Sequence, residues 1–224
     1  MGENILFTLG DFPVSAALFL ETVSSILSFL CILFAVREKI LTFPLGMIST
    51  ALYFFVFYMQ QVYSSMTLQV MFFAFNAYGL YRWKHPGKKD AAKPDNTLAV
   101  TVLTPRNRIV AAAVIAILTL TLGYVMSSLH GWLPSLFPEE AKYVYLDTAI
   151  LSASLVAQYL MALKKLENWA IWLLVDVVAA PFYFITVGWA TGILYFIFII
   201  TAVTGWVEWK RNMKAIYTDK SLKS

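Results

Sequence analysis

Residues 167–176 read ENWAIWLLVD, two tryptophans and a carboxylate inside a run that is otherwise apolar. On a helix, Trp169, Trp172 and Asp176 stand at i, i+3 and i+7, within about 60° of one another on one face. Aromatic faces attract a cation by about 0.5–2 kcal/mol each where water is excluded, and a carboxylate adds a Coulomb attraction that a low dielectric strengthens. A tryptophan at the head of a membrane span is also a common interface anchor, and that reading competes for Trp169. Asp176 tips the balance. It lies about two turns inside the run, where an ionised carboxylate costs several kcal/mol unless a partner or a wet cavity relieves it, so it marks a functional site.

The rest of the chain makes this run a membrane span. The 224 residues are 60% hydrophobic and 13% charged, with a mean hydropathy of +0.70, too few charges to cover a soluble globule of this size. Apolar runs of about 20 residues predict helices rather than barrel strands. The single cysteine, Cys31, has no partner for a disulfide and offers no cysteine metal site. The net charge of +4 does not point to nucleic acid, because the basic residues sit in short loops beside the apolar runs. The opening MGENILFTLGDFP lacks the basic start and small-residue cleavage site of a signal peptide, so the first span is expected to be retained.

Seven helices are predicted, over residues 14–36, 40–58, 62–83, 109–129, 144–163, 169–187 and 189–209. With seven spans, all of the 17 lysines and arginines except Lys142 fall on one side. The positive-inside rule then places the N-terminus outside and the C-terminus in the cytoplasm. At one constant offset the second half lies on the first without gaps: Thr22 on Thr148, Ser28 on Ser154, Leu68 on Leu194, Phe72 on Phe198, Gly79 on Gly205 and Trp83-Lys84 on Trp209-Lys210. The breaks between spans coincide across that alignment. The expected fold is therefore an all-α integral membrane protein of seven transmembrane helices in a 3+1+3 plan of parallel repeats, with the substrate near the midplane between the halves. Its parts are a three-helix bundle over 14–83, a basic cytoplasmic loop and linker helix over 84–129, a second bundle over 143–209 and a polar, frayed tail over 210–224.

Polar residues inside the spans need a reason. Gln69, Phe72, Asn76, Gly79 and Trp83 share one face of the third helix, and their counterparts are Tyr195, Phe198, Ala202, Gly205 and Trp209. An unpaired amide or phenol in hydrocarbon costs about 2 kcal/mol or more. Gln69, Asn76 and Gln158 are thus interhelical glue or ligand contacts, and Tyr195 is the counterpart of Gln69. Glu21 and Asp147 match in the outer halves of the first and fifth helices, as mouth residues or as charges stabilised by a helix dipole. Pro44 and Pro181 are expected to interrupt the second and sixth spans. His85 and His130 have no ligand cluster around them, so no metal is assigned, and no cofactor is implied.

The chain resembles the PnuC family of bacterial vitamin transporters from about Glu21 to Lys210. ENWAIWLLVD carries most of the resemblance, with FPLGMIST, LQVMFFAFNAYGLYRW and GWVEWK. The resemblance implies a SWEET-like fold of two three-helix bundles joined by a linker helix. Its substrate-lining tryptophan pair looks like Trp169 and Trp172, and its glutamine of the third span looks like Gln69. Two positions depart from the family pattern: Thr42-Phe43 stands for Asn-Trp and Leu80 for a tryptophan. Family members carry nicotinamide riboside, a vitamin B3 precursor of NAD biosynthesis, or thiamine and related vitamins, by facilitated diffusion with alternating access. Phosphorylation by a cytoplasmic kinase then traps the vitamin. Both vitamins present a flat cationic ring, which suits the indoles and Asp176, and a ribose offers more hydroxyls to Gln69, Asn76 and Gln158 than thiamine's arm does. Nicotinamide riboside is the preferred substrate, with thiamine or another B-vitamin precursor as the alternative and a SWEET-like sugar carrier behind it. The chain is read as no enzyme, since no nucleophile or metal cluster stands beside the intramembrane acids. No GxxxxGK[ST] nucleotide loop is present. Coupling to protons or sodium stays open, as does assembly into a homo-oligomer. The expected location is the bacterial inner membrane, with the lipid bilayer and the small-molecule substrate as partners.

Overall fold

A helix satisfies its own backbone N–H and C=O groups, which hydrocarbon demands, and each apolar run forms one, within a few residues of its predicted limits except at the end of the seventh. The computed structural model describes residues 5–9, 12–59, 63–87, 90, 97–132, 143–186 and 189–222. Its helices are α1 (Ala16–Val36), α2 (Thr42–Met59), α3 (Tyr63–Lys84), α4 (Pro105–Trp132), α5 (Val144–Ala162), α6 (Glu167–Thr186) and α7 (Trp189–Leu222). Among the described residues, α1, α2, α4 and α5 are long and apolar enough to cross a membrane. In α3, Gln69, Asn76 and Arg82 dilute the apolar run.

Three expectations change. Ahead of α1, β1 (Ile5–Leu9) pairs antiparallel with β2 (Phe12–Ser15), Leu9 opposite Phe12, so Val14 belongs to a strand. Runs of five and four residues are too short for periodicity to separate from the start of an apolar helix. Pro44 does not interrupt α2, because it lies in the first turn, where a missing N–H costs no intrahelical bond. Pro181 does lie inside α6. The tail is not frayed from Lys210: α7 runs on to Leu222, helped by Arg211 bonding Glu208 at 2.6 Å. No glycine or proline follows Gly205 to stop it.

The chain divides into two compact units, Met1–Leu98 and Ala99–Ser224. In the first, α2 packs on both α1 and α3; in the second, α4 packs on α5, α5 on α6 and α6 on α7. The turns into α2 and α6 repeat bond for bond. Helix α1 ends with Glu38 in the left-handed region (φ 53°), its N–H donating to Ala35 O at 3.0 Å and that of Lys39 to Phe34 O at 2.9 Å. Helix α5 ends with Lys164 at φ 54°, its N–H donating to Met161 O and that of Lys165 to Leu160 O, both at 2.9 Å. This is the Schellman arrangement, which caps carbonyls a helix end leaves bare. The next helices start alike, Phe43 N–H on Ile40 O and Trp169 N–H on Leu166 O, each at 3.2 Å.

The seams beyond those turns differ in chemistry. Between α1 and α2, Ser49 Oγ donates to Ser24 O at 2.8 Å and pairs with Ser28 Oγ at 2.6 Å, while Ser25 Oγ meets the Tyr53 hydroxyl at 2.6 Å. At the matching place α5 and α6 bury Ile150, Ala153, Val175 and Ala179. Interhelical hydrogen bonds in membranes average about 0.6 kcal/mol. Ser49→Ala is therefore expected to lower stability by about 1 kcal/mol, and Ser28→Ala by about half as much, in thermal unfolding of the detergent-solubilised protein. Equal losses for the two variants contradict the assignment of two bonds to Ser49.

Candidate functional site

The head of α6 is fixed by a segment that composition alone marks as loop. Residues 98–103 follow the charged stretch after α3, and Leu98, Ala99, Val100 and Leu103 are buried. Thr101 forms a parallel bridge beside Lys165: its N–H donates to Lys164 O at 3.2 Å and its carbonyl accepts from Leu166 N–H at 2.9 Å. Lys165 Nζ reaches Thr101 Oγ1 at 2.8 Å. Glu167, in the first turn of α6, accepts the Leu103 N–H on both carboxylate oxygens at 3.0 Å. It also pairs with Arg108 at 2.9 Å. An acidic side chain there complements the positive helix end as well.

From that anchored head the candidate residues run down one face of α6. Trp169 is buried (2% exposed), its ring edge-on to Trp209 with centroids 5.5 Å apart. A Cβ on Gly205 would come within 2.6 Å of three of its ring atoms, so the glycine is what admits the indole. Trp172 is only partly buried and packs against the Ile150, Ala153, Val175 and Ala179 cluster, as does Tyr195 of α7. Asp176 is 4% exposed, and no described residue gives its carboxylate a hydrogen bond or ion pair. Gln158 of α5 is half-buried. Five predicted site residues thus lie in the second unit, four of them on the two paired helices α6 and α7.

Gln69 and Asn76 belong to the first unit, where their surroundings differ. Gln69 is half-buried and borders a cavity of about 270 Å³ between α2 and α3, with Thr50, Phe54 and Phe73. Asn76 is 4% exposed; its Nδ2 donates to Phe72 O at 2.9 Å, and its Oδ1 lies 2.6 Å from where a Cβ on Gly46 would stand. Its amide packs into the α2–α3 crossing beside Gly46. Glu21 and Asp147 are exposed, Asp147 in the first turn of α5. Among the described residues no three His, Cys, Asp or Glu side chains cluster to hold a metal. The sequence reading missed Glu167, whose signal was an acid at a helix start, and Gly46, whose partner lies on another helix.

Residues 18–211 match the family model described as nicotinamide mononucleotide transporter. The chain belongs to the nicotinamide mononucleotide transporter family. Membership makes it a transporter embedded in a membrane, not an enzyme. The nicotinamide riboside transporter PnuC of Escherichia coli (strain K12) is 30% identical over 203 residues, covering 85% of this chain and 84% of that one. The riboflavin/roseoflavin transporter RibM of Streptomyces davaonensis is 27% identical over 190 residues, covering 84% and 83%. The fold resembles the crystal structure of the vitamin B3 transporter PnuC, with a TM-score of 0.64 and 23% identity over 88% of this chain and 83% of that one.

Removing the acceptor at the head of α6 orphans a backbone N–H, which costs about 1–3 kcal/mol, whereas an exposed arginine contributes under about 1 kcal/mol to an ion pair. Glu167→Ala is thus expected to destabilise the transporter more than Arg108→Ala, whose side chain is 56% exposed. Thermal unfolding of both variants ranks them, and a larger loss from Arg108→Ala contradicts the anchoring role of the Leu103 bond.

Proposed function

We propose that this transporter carries nicotinamide riboside into the cell by facilitated diffusion with alternating access, the vitamin being trapped by phosphorylation in the cytoplasm. The observation that carries the proposal is the buried Asp176 carboxylate, without a partner among the described residues and one turn along α6 from the partly exposed Trp172. A buried carboxylate left so is costly. A flat cationic ring relieves it while gaining an indole contact. Tyr195 and Gln158, in the same unit, supply polar groups for the hydroxyl-bearing arm. The similarity to proteins named nicotinamide riboside transporter favours the same substrate.

The architecture proposed with it is SWEET-like: all seven helices cross the bacterial inner membrane in a 3+1+3 plan, α4 as linker, with the N-terminus outside. The matched Schellman turns before α2 and α6 support two repeated bundles, and the lysine and arginine distribution supports the orientation. Downgradient exchange in liposomes that persists after proton and sodium gradients are dissipated is the result expected of a uniporter.

A second substrate is favoured by one observation, the similarity to a riboflavin transporter. Riboflavin's ring carries no positive charge, so Asp176 separates the two readings. Calorimetric titration is expected to show tight binding of nicotinamide riboside to the wild-type protein and at least about tenfold weaker binding to Asp176→Asn, a loss of about 1.4 kcal/mol. Riboflavin binding that is tighter than nicotinamide riboside binding and indifferent to the substitution changes the substrate. Thiamine in nicotinamide riboside's place keeps the site and changes the vitamin, and binding of a neutral sugar alone ends the proposal.

A further inference from the structure

We propose that Trp169 is a positioning residue: its indole is a wedge that sets the crossing of α6 on α7 and so holds Trp172 and Asp176 in place, leaving the aromatic contact with the carried molecule to Trp172. The inference rests on the site proposed above. The wedge is enclosed. At 2% exposure, with its benzo ring against the Gly205 notch and an edge contact to Trp209, the indole presents no face for a planar ligand to stack on. Trp172 keeps part of its surface free.

The first unit builds the same device without a tryptophan at the wedge. Phe43, 1% exposed, lies in the notch left by Gly79 and meets Trp83 edge-on, ring centroids 4.8 Å apart at 88°, against 5.5 Å and 89° for Trp169 and Trp209. Phe43 and Trp169 follow matching turns and donate their N–H groups to matching carbonyls. The position three residues on does not match. Where α6 has Trp172, α2 has Gly46, and the Asn76 side chain of α3 occupies the space beside it. The first tryptophan of the pair therefore has a packing counterpart, and the second has none. Trp169 Nε1 is buried without an acceptor, so a phenyl ring serves the notch at least as well, as Phe43 shows.

The test is calorimetric titration of the full-length protein in detergent with nicotinamide riboside, paired with its thermal melting curve. Trp169→Phe is expected to keep the Kd within about threefold of wild type and to melt no lower. Trp169→Ala and Gly205→Ala, the latter altering no ligand-facing atom, are expected to melt lower and to weaken binding by about tenfold or more, while Trp172→Phe weakens binding to the same degree with the melting point retained. A Trp169→Phe protein with a wild-type melting point and binding as weak as Trp172→Phe overturns the proposal, because its indole N–H or ring then serves the ligand. If the wild-type protein does not bind nicotinamide riboside, the function proposed above fails, and the wedge is decided by melting alone. Trp169→Phe melting with wild type, above Gly205→Ala, sustains it, and Trp169→Phe melting as low as Trp169→Ala overturns it.

Discussion

In hydrocarbon a polar atom without a partner is costly, and water is not there to supply one. Much of this chain follows from that constraint. Hydroxyls inside the helices turn back to carbonyls four residues earlier: Thr22 to Leu18, Ser24 to Leu20, Thr50 to Gly46, Ser154 to Ile150. Helix ends that would leave carbonyls bare close on themselves at Glu38 and Lys164, although a non-glycine residue in the left-handed region costs on the order of 1 kcal/mol. Against that background the unpartnered carboxylate of Asp176 carries information. Ser152 Oγ, Thr119 Oγ1 and Trp169 Nε1 are also buried without a partner, but each is a neutral group; a carboxylate held so costs more, and an alanine or a valine at that place in α6 costs nothing in desolvation.

The two units share backbone devices and differ in the side chains hung on them. The seam that Ser24 and Ser49 make with hydrogen bonds in the first unit is made by Ile150 and Val175 in the second. Thr50 of α2 has Asp176 as its counterpart, Gly46 has Trp172, and Asn76 has Ala202. A repeated backbone with exchanged side chains keeps the helix crossings while moving the chemistry. In the first unit, bulk at the α2–α3 crossing comes from α3, through Asn76 into the space at Gly46. In the second, Trp172 stands on α6 and Ala202 of α7 is small. That inversion is what puts an indole on the same helix as the carboxylate.

The helices were legible because each is one long apolar run bounded by charges, and the face of α6 was legible because a helix has one period. What lies over a face is not written in that period. Trp169 and Trp172 are one turn apart with similar directions, yet one is enclosed by Gly205 and Trp209 and the other is not, a difference set by α7. Gln69 and Asn76 share a face for the same reason and separate for the same reason, through a glycine on α2. The segment over residues 98–103 has the sequence of a loop because its apolar stretch is short and its partners, Lys164 to Glu167, lie 64 residues onward. Composition reports such pairings only when both ends are already known.

Placing the indole and the carboxylate on one helix has a geometric consequence. Four residues of α-helix separate Trp172 from Asp176, about 6 Å along the axis, so no loop movement alters their spacing, and sites built on regular elements hold their geometry better than sites on loops. What remains adjustable is the helix as a whole. Its head is tied by Glu167 to the Leu103 N–H and to Arg108, and by Lys165 to Thr101. Its flank is set against α7 by an aromatic ring in a glycine notch. Two restraints at different heights fix both the tilt and the rotation of a rod. The ties at the head and the ring at the notch therefore govern where Trp172 and Asp176 point, although neither belongs to the pair proposed to face the ligand.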